Sequence, residues 1–212
     1  FVGERVAAVA ADDPAIAEEA IRLINVEYEE LEPLIDPREA IKPGAPLIHP
    51  DIASYQGLPQ NLPSDVPNIH SYLERTRGDL DAGFAEADRI FESTYECAMM
   101  HQAYLEPHSC LVHIDDAGRV HVWATNKSPY TLRTHVAQAL ELDEANVVVE
   151  HTRIGGEFGG KGAVMDIPVA YHLAKLTGQP IRIVMTYTEE LIAGNPRHPS
   201  ITTFKTGVKN DG

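Results

Sequence analysis

The stretch Arg153-Ile-Gly-Gly-Glu-Phe-Gly-Gly-Lys161 is the densest local pattern in this 212-residue chain. Four of the six residues from 155 to 160 are glycine. Glycine permits positive φ and lets backbone N–H groups approach a ligand without an intervening Cβ. The valine-rich run Asn146–Ile154 comes before it, and helical periodicity follows it. The pattern therefore predicts a strand-to-helix turn that can present backbone donors to an anion or a metal oxo group.

Two other interpretations of this turn stay open at this point. It can be a tight structural turn without a ligand, because an isolated glycine-rich pattern is a weak signal. It can also be a nucleotide-binding P-loop, since Gly155, Gly160 and Lys161 fit G-x-x-x-x-G-K. Against the second, Gly162 stands where a Ser or Thr must ligate Mg²⁺, and the later strand Ile181–Tyr187 has no Asp at its end.

The hydrophobic pattern around the turn predicts an α+β fold in which helices cover mixed sheets. After the turn, a helix runs through Lys175 and ends at Gly178. Before it, a helix starts at Ser128-Pro129 and places apolar residues on one face, namely Leu132, Val136 and Leu140. Further elements are predicted earlier in the chain: strands at Asn68–Arg77 and Ile90–Met99, a helix from Gly78 through Ala87, and a hairpin formed by Cys110–Asp115 and Arg119–Thr125.

The first 35 or so residues predict a β-α-β unit. Val6–Ala11 is strand-like, Asp12-Asp13-Pro14 is typical of a helix start, and the alternation from Ile24 to Tyr28 favours a second strand. The helix carries a stripe at Ile16, Ala20 and Ile24 that we expect to pack in a core. Eight prolines then crowd residues 33–67, which indicates a linker and a domain boundary.

Composition excludes some classes of partner. Lys and Arg number 17 against 32 Asp and Glu, a formal charge of -15, so the chain lacks the basic surface that nucleic acids or anionic membranes require. No apolar run approaches the roughly 20 residues that span a bilayer. Cys97 and Cys110 are too few for a disulfide framework and predict free thiols in the cytoplasm.

Both ends of the sequence resemble cut ends. It starts without Met inside a strand-like pattern, and Asn210-Asp-Gly212 would be the centre of a hairpin turn. We therefore expect a fragment of a longer protein. Such a fragment exposes apolar surface that the rest of the protein would cover, so it should self-associate.

The glycine-rich stretch resembles the R-x-G-G-G-F-G-G-K segment of the molybdenum hydroxylases, the family of xanthine dehydrogenase, aldehyde oxidase and nicotinate dehydrogenase. Further segments resemble this family in the same order: Val2–Ala10 with Ala17–Leu31 (the second half of its α/β hammerhead domain), Gly78–Asp88, Leu105-Glu-Pro107 and Gly194–Pro199. The resemblance implies a partial α/β hammerhead domain at residues 1–37, a proline-rich linker at 38–67, and the N-terminal part of a molybdopterin-binding α+β domain at 68–212.

The resemblance also implies a chemistry. The full-length enzyme would oxidise an N-heterocycle or an aldehyde with water as the oxygen source. Its cofactor would be a molybdenum-pyranopterin, either molybdopterin or its cytosine dinucleotide. Electrons would pass to 2Fe-2S and FAD groups on partner subunits or domains. By position, the cofactor-binding residues would be Gly156, Phe158, Gly159, Gly160 and Gln102. The family's catalytic glutamate and substrate arginine would follow Gly212, so we expect no catalytic residue here and no activity of this chain alone.

Three positions depart from the family pattern. Glu157 replaces the third glycine, and its side chain should point away from the cofactor. Gly162 replaces the glutamate that purine-oxidising members use to bind substrate. Counted without gaps, the molybdenum-proximal glutamine falls on Met100, so Gln102 serves only if the register shifts. Glu157 and Gly162 are consistent with an alternative, a binding or assembly module that has kept the fold without redox chemistry.

Histidines suggest two further interpretations. A metal site at His101, Glu106 and His108 does not have H-E-x-x-H spacing, and we predict no metal bound directly by these side chains. Arg197-His198 lies between prolines, which predicts a structural loop hydrogen-bonded to the backbone.

Overall fold

The computed structural model describes residues 2–55 and 62–211. They form two compact units, Phe1–Asn25 with Glu92–Phe204, and Val26–Phe91 with Lys205–Gly212. These units are defined by spatial compactness, whereas the predicted boundaries after residues 37 and 67 follow sequence modules. Those boundaries remain predictions.

The first unit is built on a four-stranded sheet in the order β4-β3-β2-β5. Strands β2 (Ser109–Ile114) and β3 (Val120–Ala124) form the predicted antiparallel hairpin, in which His113 faces His121. Strand β5 (Ile181–Val184) pairs antiparallel with β2, and β4 (Val147–Glu150) pairs parallel with β3. The parallel pair requires a crossover, which a helix provides.

Two helices cover one face of this sheet. Helix α4 (Pro129–Ala139) connects β3 to β4, and α5 (Ile167–Thr177) lies between β4 and β5. The predicted stripe on α4 is confirmed, since Leu132 and Val136 are fully buried. Gly178 ends α5 with φ of +66°, as predicted, because glycine adopts the left-handed conformation without strain.

Alternation along the strands places the core between the sheet and these helices. Every second residue along a strand is buried and the residues between them are more accessible, as expected for a sheet with one covered face. The core residues on the strands are Cys110, Val112, Val120, Val122 and Val147. The helices contribute Leu132, Val136, Ala137, Ile167, Ala170 and Tyr171.

The N-terminal segment differs from the predicted β-α-β unit. Helix α1 (Pro14–Ile21) begins where predicted, with Asp13 accepting a hydrogen bond from Ala15 N–H. The strands predicted at 6–11 and 24–28 are absent from the described residues, because no neighbouring strand supplies their backbone hydrogen bonds. The stripe predicted to be core is not buried, since Ile16 retains 57% and Ile24 40% of their accessible surface and Ala20 is half-buried. The hammerhead assignment therefore remains a prediction.

The second unit contains short elements. They are α2 (Pro37–Ala40), a 3₁₀ turn at Ile52–Ser54, and α3 (Leu80–Ala85). Helix α3 confirms the predicted start, since Asp79 caps it by accepting from Ala82 N–H. Asn68 ties the proline-rich segment together by donating to the carbonyls of Ala40 and Pro46. The strand predicted at 68–77 does not form.

A separate two-stranded sheet pairs β1 (Arg89–Cys97) with β6 (Ser200–Val208). Strand β1 confirms the prediction for residues 90–99. The remaining helix, α6 (Tyr187–Ala193), begins inside the segment predicted as a strand through Tyr187. It starts there because Thr186 and Glu189 form a capping box, a helix-start signal that stops β5 at Val184. No helix of the described residues is long and apolar enough to cross a membrane.

Candidate functional site

A pocket of about 490 Å³ lies in the first unit, where the glycine-rich turn meets two other loops. One loop precedes β2, and the other lies between α6 and β6. The lining residues are Met100, His101, Gln102, Phe158, Gly159, Asn195, Pro196, Arg197 and His198. A volume of this size suits a small organic ligand.

The turn from residue 155 to 161, which we call the glycine loop, has an unusual backbone. Phe158 has φ of +42° although it carries a side chain, and Gly156 and Gly159 also have positive φ. A Cβ on Gly156 would lie 3.1 Å from both Phe158 Cε2 and Tyr104 Cβ, so glycine at this position lets the Phe158 ring pack against the backbone of residue 156. Phe158 still retains 73% exposure at the pocket. Strained backbone of this kind is concentrated at functional sites.

One carboxylate holds both ends of the glycine loop. Glu106 Oε2 accepts from Gly155 N–H at 2.7 Å and from Lys161 Nζ at 2.8 Å. The Lys161 side chain has no solvent exposure, and its ammonium lies 4.6 Å from the centroid of the Tyr104 ring. Burial acts to raise the pKa of Glu106, but the hydrogen bonds from Lys161 and Gly155 outweigh it and lower that pKa. Glu106 is therefore a charged anchor for the loop.

A second carboxylate, Glu190, lies fully buried behind the pocket. It accepts a short hydrogen bond from the Tyr104 hydroxyl, and His108 N–H donates to it at 2.6 Å. His108 Nδ1 lies 2.8 Å away. Burial acts to raise the pKa of Glu190, but the bonds from Tyr104 and His108 outweigh it and lower that pKa. Burial and the bond to Glu190 together raise the pKa of Tyr104, so this hydroxyl stays protonated and donates.

His101 lines the pocket but turns neither ring nitrogen towards it. Its Nδ1 accepts from Ala103 N–H at 3.0 Å, so a neutral ring carries its proton on Nε2. That Nε2 lies 3.6 Å from Glu190 Oε1. His101 and His108 therefore both approach Glu190, whereas Glu106 faces Gly155 and Lys161, so the three side chains do not converge on one point. The geometry gives no role to His101 as a base in the pocket.

Of the five residues predicted to bind cofactor, three line the pocket: Gln102, Phe158 and Gly159. Gly156 and Gly160 instead support the loop from behind. A Cβ on Gly160 would lie 2.8 Å from Tyr104 Cε1 and 3.0 Å from Gln102 Oε1. Four of the five predicted residues thus belong to the glycine loop, and Gln102 packs against this loop at Gly160.

Sequence reasoning did not assign the opposite wall of the pocket or the loop's anchor. Arg197 was predicted to be structural, and its backbone does bond Met100 in both directions. Arg197 and His198 nevertheless both line the pocket. Glu106 was considered only as part of a motif and as a candidate metal ligand, and not as an anchor of the loop. Its role depends on Lys161, 55 positions later, a distance at which local pattern carries no signal.

The P-loop interpretation is wrong on two counts. Lys161 is fully buried and paired with Glu106, so it cannot reach a phosphate. Helix α5 also begins at Ile167, after five intervening residues, rather than directly on the turn. A phosphate-binding loop needs both a free lysine and a helix N-terminus at its end.

Comparison with known proteins gives consistent matches. The family described as the molybdopterin cofactor-binding domain matches residues 62–212. A probable hypoxanthine oxidase from Escherichia coli O157:H7 is 35% identical over 233 residues, which cover 100% of this chain and 24% of that protein. The large molybdopterin subunit of nicotinate dehydrogenase from Eubacterium barkeri is 32% identical over 213 residues, 99% of this chain and 46% of the subunit.

A solved structure agrees with these sequence matches. Reconstituted CO dehydrogenase from Oligotropha carboxidovorans superposes with a TM-score of 0.78 at 28% identity, over 95% of this chain and 25% of that one. The chain thus spans between about a quarter and a half of the length of these relatives.

Proposed function

This chain belongs to the molybdopterin cofactor-binding family of the xanthine dehydrogenase and aldehyde oxidase type, and from that premise we propose that its glycine loop holds the molybdenum-pyranopterin of a hydroxylase. The observation that carries the proposal is the meeting of Gln102, Phe158 and Gly159 in one pocket. These residues come from two loops more than 50 positions apart in the chain.

The residues present fit such a cofactor. Gln102 Nε2 donates to the Asn195 carbonyl at 3.0 Å, and Gln102 Oε1 lies close to Gly160. That oxygen is buried and has no hydrogen-bond partner among the described residues. Since a buried acceptor without a donor is costly, it is suited to a donor on a ligand. Gly159 adds open space, because no atom lies within 4 Å of where its Cβ would be.

The proposed roles follow from these positions. The cofactor, when bound, would supply the redox chemistry that hydroxylates a carbon with oxygen from water. The glycine loop would direct backbone N–H dipoles at the anionic part of the cofactor, where charge is stabilised by such donors. Phe158, strained and accessible, would form an apolar wall for substrate. We assign no general base within this chain.

Substrate and partners are proposed at the level of the family. We propose an N-heterocycle or an aldehyde as substrate, and 2Fe-2S and FAD groups on partner subunits or domains. Gly162 offers no side chain for a purine, which favours other substrates. We propose a cytoplasmic location, since Cys97 and Cys110 are free thiols.

Elemental analysis tests this proposal on the full-length protein, purified without oxygen together with its partners. We expect stoichiometric molybdenum and a pterin released on denaturation. Protein that is folded and partnered but lacks both would refute the hydroxylase function. It would favour instead the non-catalytic module suggested by Glu157 and Gly162.

A further inference from the structure

The carboxylate of Glu157 accepts a hydrogen bond from a backbone N–H group of the glycine loop. Glu157 Oε2 accepts from Gly159 N–H at 2.9 Å, and the Glu157 carbonyl accepts from Gly160 N–H at 2.7 Å. Gly159 borders the pocket, whereas Glu157 is not among the lining residues. The Glu157 side chain is thus not part of the pocket lining, but it occupies the Gly159 amide.

Lys127 is a second partner for the Glu157 carboxylate. Lys127 Nζ lies 3.4 Å from the same oxygen, Glu157 Oε2. The backbone N–H of Lys127 donates to the Lys161 carbonyl at 3.0 Å, which keeps the lysine beside the loop. Because both side chains are about one-third exposed or more, their pairing is weak and easily rearranged.

We infer that Glu157 is an internal competitor for the Gly159 amide, which it yields to an anionic group of the cofactor while Lys127 retains the carboxylate. The inference rests on the proposed function. Glu157 is a positioning residue, since it acts through the Gly159 amide rather than by touching the cofactor. It therefore sets how readily the loop takes up its cofactor.

Two variants separate the hydrogen bond from the charge. Glu157→Ala removes the acceptor, whereas Glu157→Gln keeps an acceptor of the same length and removes the charge. The readout is molybdenum and released pterin per folded full-length polypeptide, produced under limiting molybdate. We expect Glu157→Ala to raise both by about three- to tenfold, the range of one ordinary net hydrogen bond, because the partly exposed Glu157 carboxylate is screened by solvent. Glu157→Gln should stay closer to the unmodified protein.

Two outcomes overturn the inference. One is a Glu157→Ala protein with no more cofactor than the unmodified protein. The other is a Glu157→Gln protein that gains as much as Glu157→Ala, which would assign the effect to charge alone. Lys127→Met removes the other partner of the carboxylate. It leaves the Gly159 bond in place, so it should not raise cofactor content.

Hydrogen–deuterium exchange provides a readout that does not depend on cofactor. In the cofactor-free protein the Gly159 amide should exchange faster in Glu157→Ala than in Glu157→Gln. Equal rates would overturn the inference. If the unmodified protein contains no molybdenum, the proposed function fails, and this measurement still decides whether Glu157 occupies the amide.

Discussion

Removing Glu106 should destabilise the fold more than removing Lys161, because Lys161 is buried and Glu106 is partly exposed. The Lys161 side chain has no solvent exposure, whereas Glu106 retains 35%. Glu106→Ala leaves an ammonium buried without a counterion, which costs about 3–5 kcal/mol, and removes the acceptor of Gly155 N–H, which costs about 1 kcal/mol more. Lys161→Met leaves a carboxylate that water can reach and that still accepts from Gly155, so we expect about 2 kcal/mol.

Urea unfolding followed by the fluorescence of Trp123 measures these differences. Trp123 is the chain's one tryptophan and lies in β3 of the same unit. The double variant should be more stable than Glu106→Ala alone, since it no longer buries an unpaired charge. The reasoning is refuted if Lys161→Met costs as much as Glu106→Ala, or if the double variant loses the sum of the two single losses.

Three further predictions concern the loop, the buried carboxylate and the apolar surface. Gly160→Ala should displace the loop and strongly lower the molybdenum content, because the new Cβ would lie 2.8 Å from Tyr104. Gly162→Ala is the control and should bind the cofactor normally, because no atom would lie nearer than 3.6 Å to its Cβ. Because the folded-state pKa of Glu190 is lowered, its stabilisation is present above the ordinary pKa of about 4.3 and is lost as pH falls further. In urea unfolding, Glu190→Gln should therefore be less stable at pH 7 and should lose less stability between pH 5 and pH 3; an unchanged pH profile would contradict this. The chain of residues 1–212 exposes large apolar side chains such as Leu105, 92% accessible, so its sedimentation coefficient should rise with concentration, and a constant monomer value would contradict the expectation.

The sequence by itself predicted the elements whose signals are local. The hairpin, helix α4 with its buried face and helix α5 with Gly178 at its end were all confirmed, because periodicity, caps and turn residues act within a few positions. The ordered motifs around the glycine loop likewise identified the family, which the comparisons confirm. A strand is less local. Segments 6–11 and 68–77 have strand-like patterns, yet without a hydrogen-bonding neighbour neither forms one.

Only the tertiary structure decided what surrounds the loop. It placed Glu106 beside Lys161, and it brought Arg197 and Phe158 into the lining of one pocket. It also showed that Glu157, a departure visible in the sequence, bonds to the Gly159 amide. The physical reason is that side-chain pairing depends on distance in space and on burial. Neither the distance in space nor the burial is determined by spacing along the chain. The residues that hold the loop in place could therefore be identified only from the three-dimensional structure.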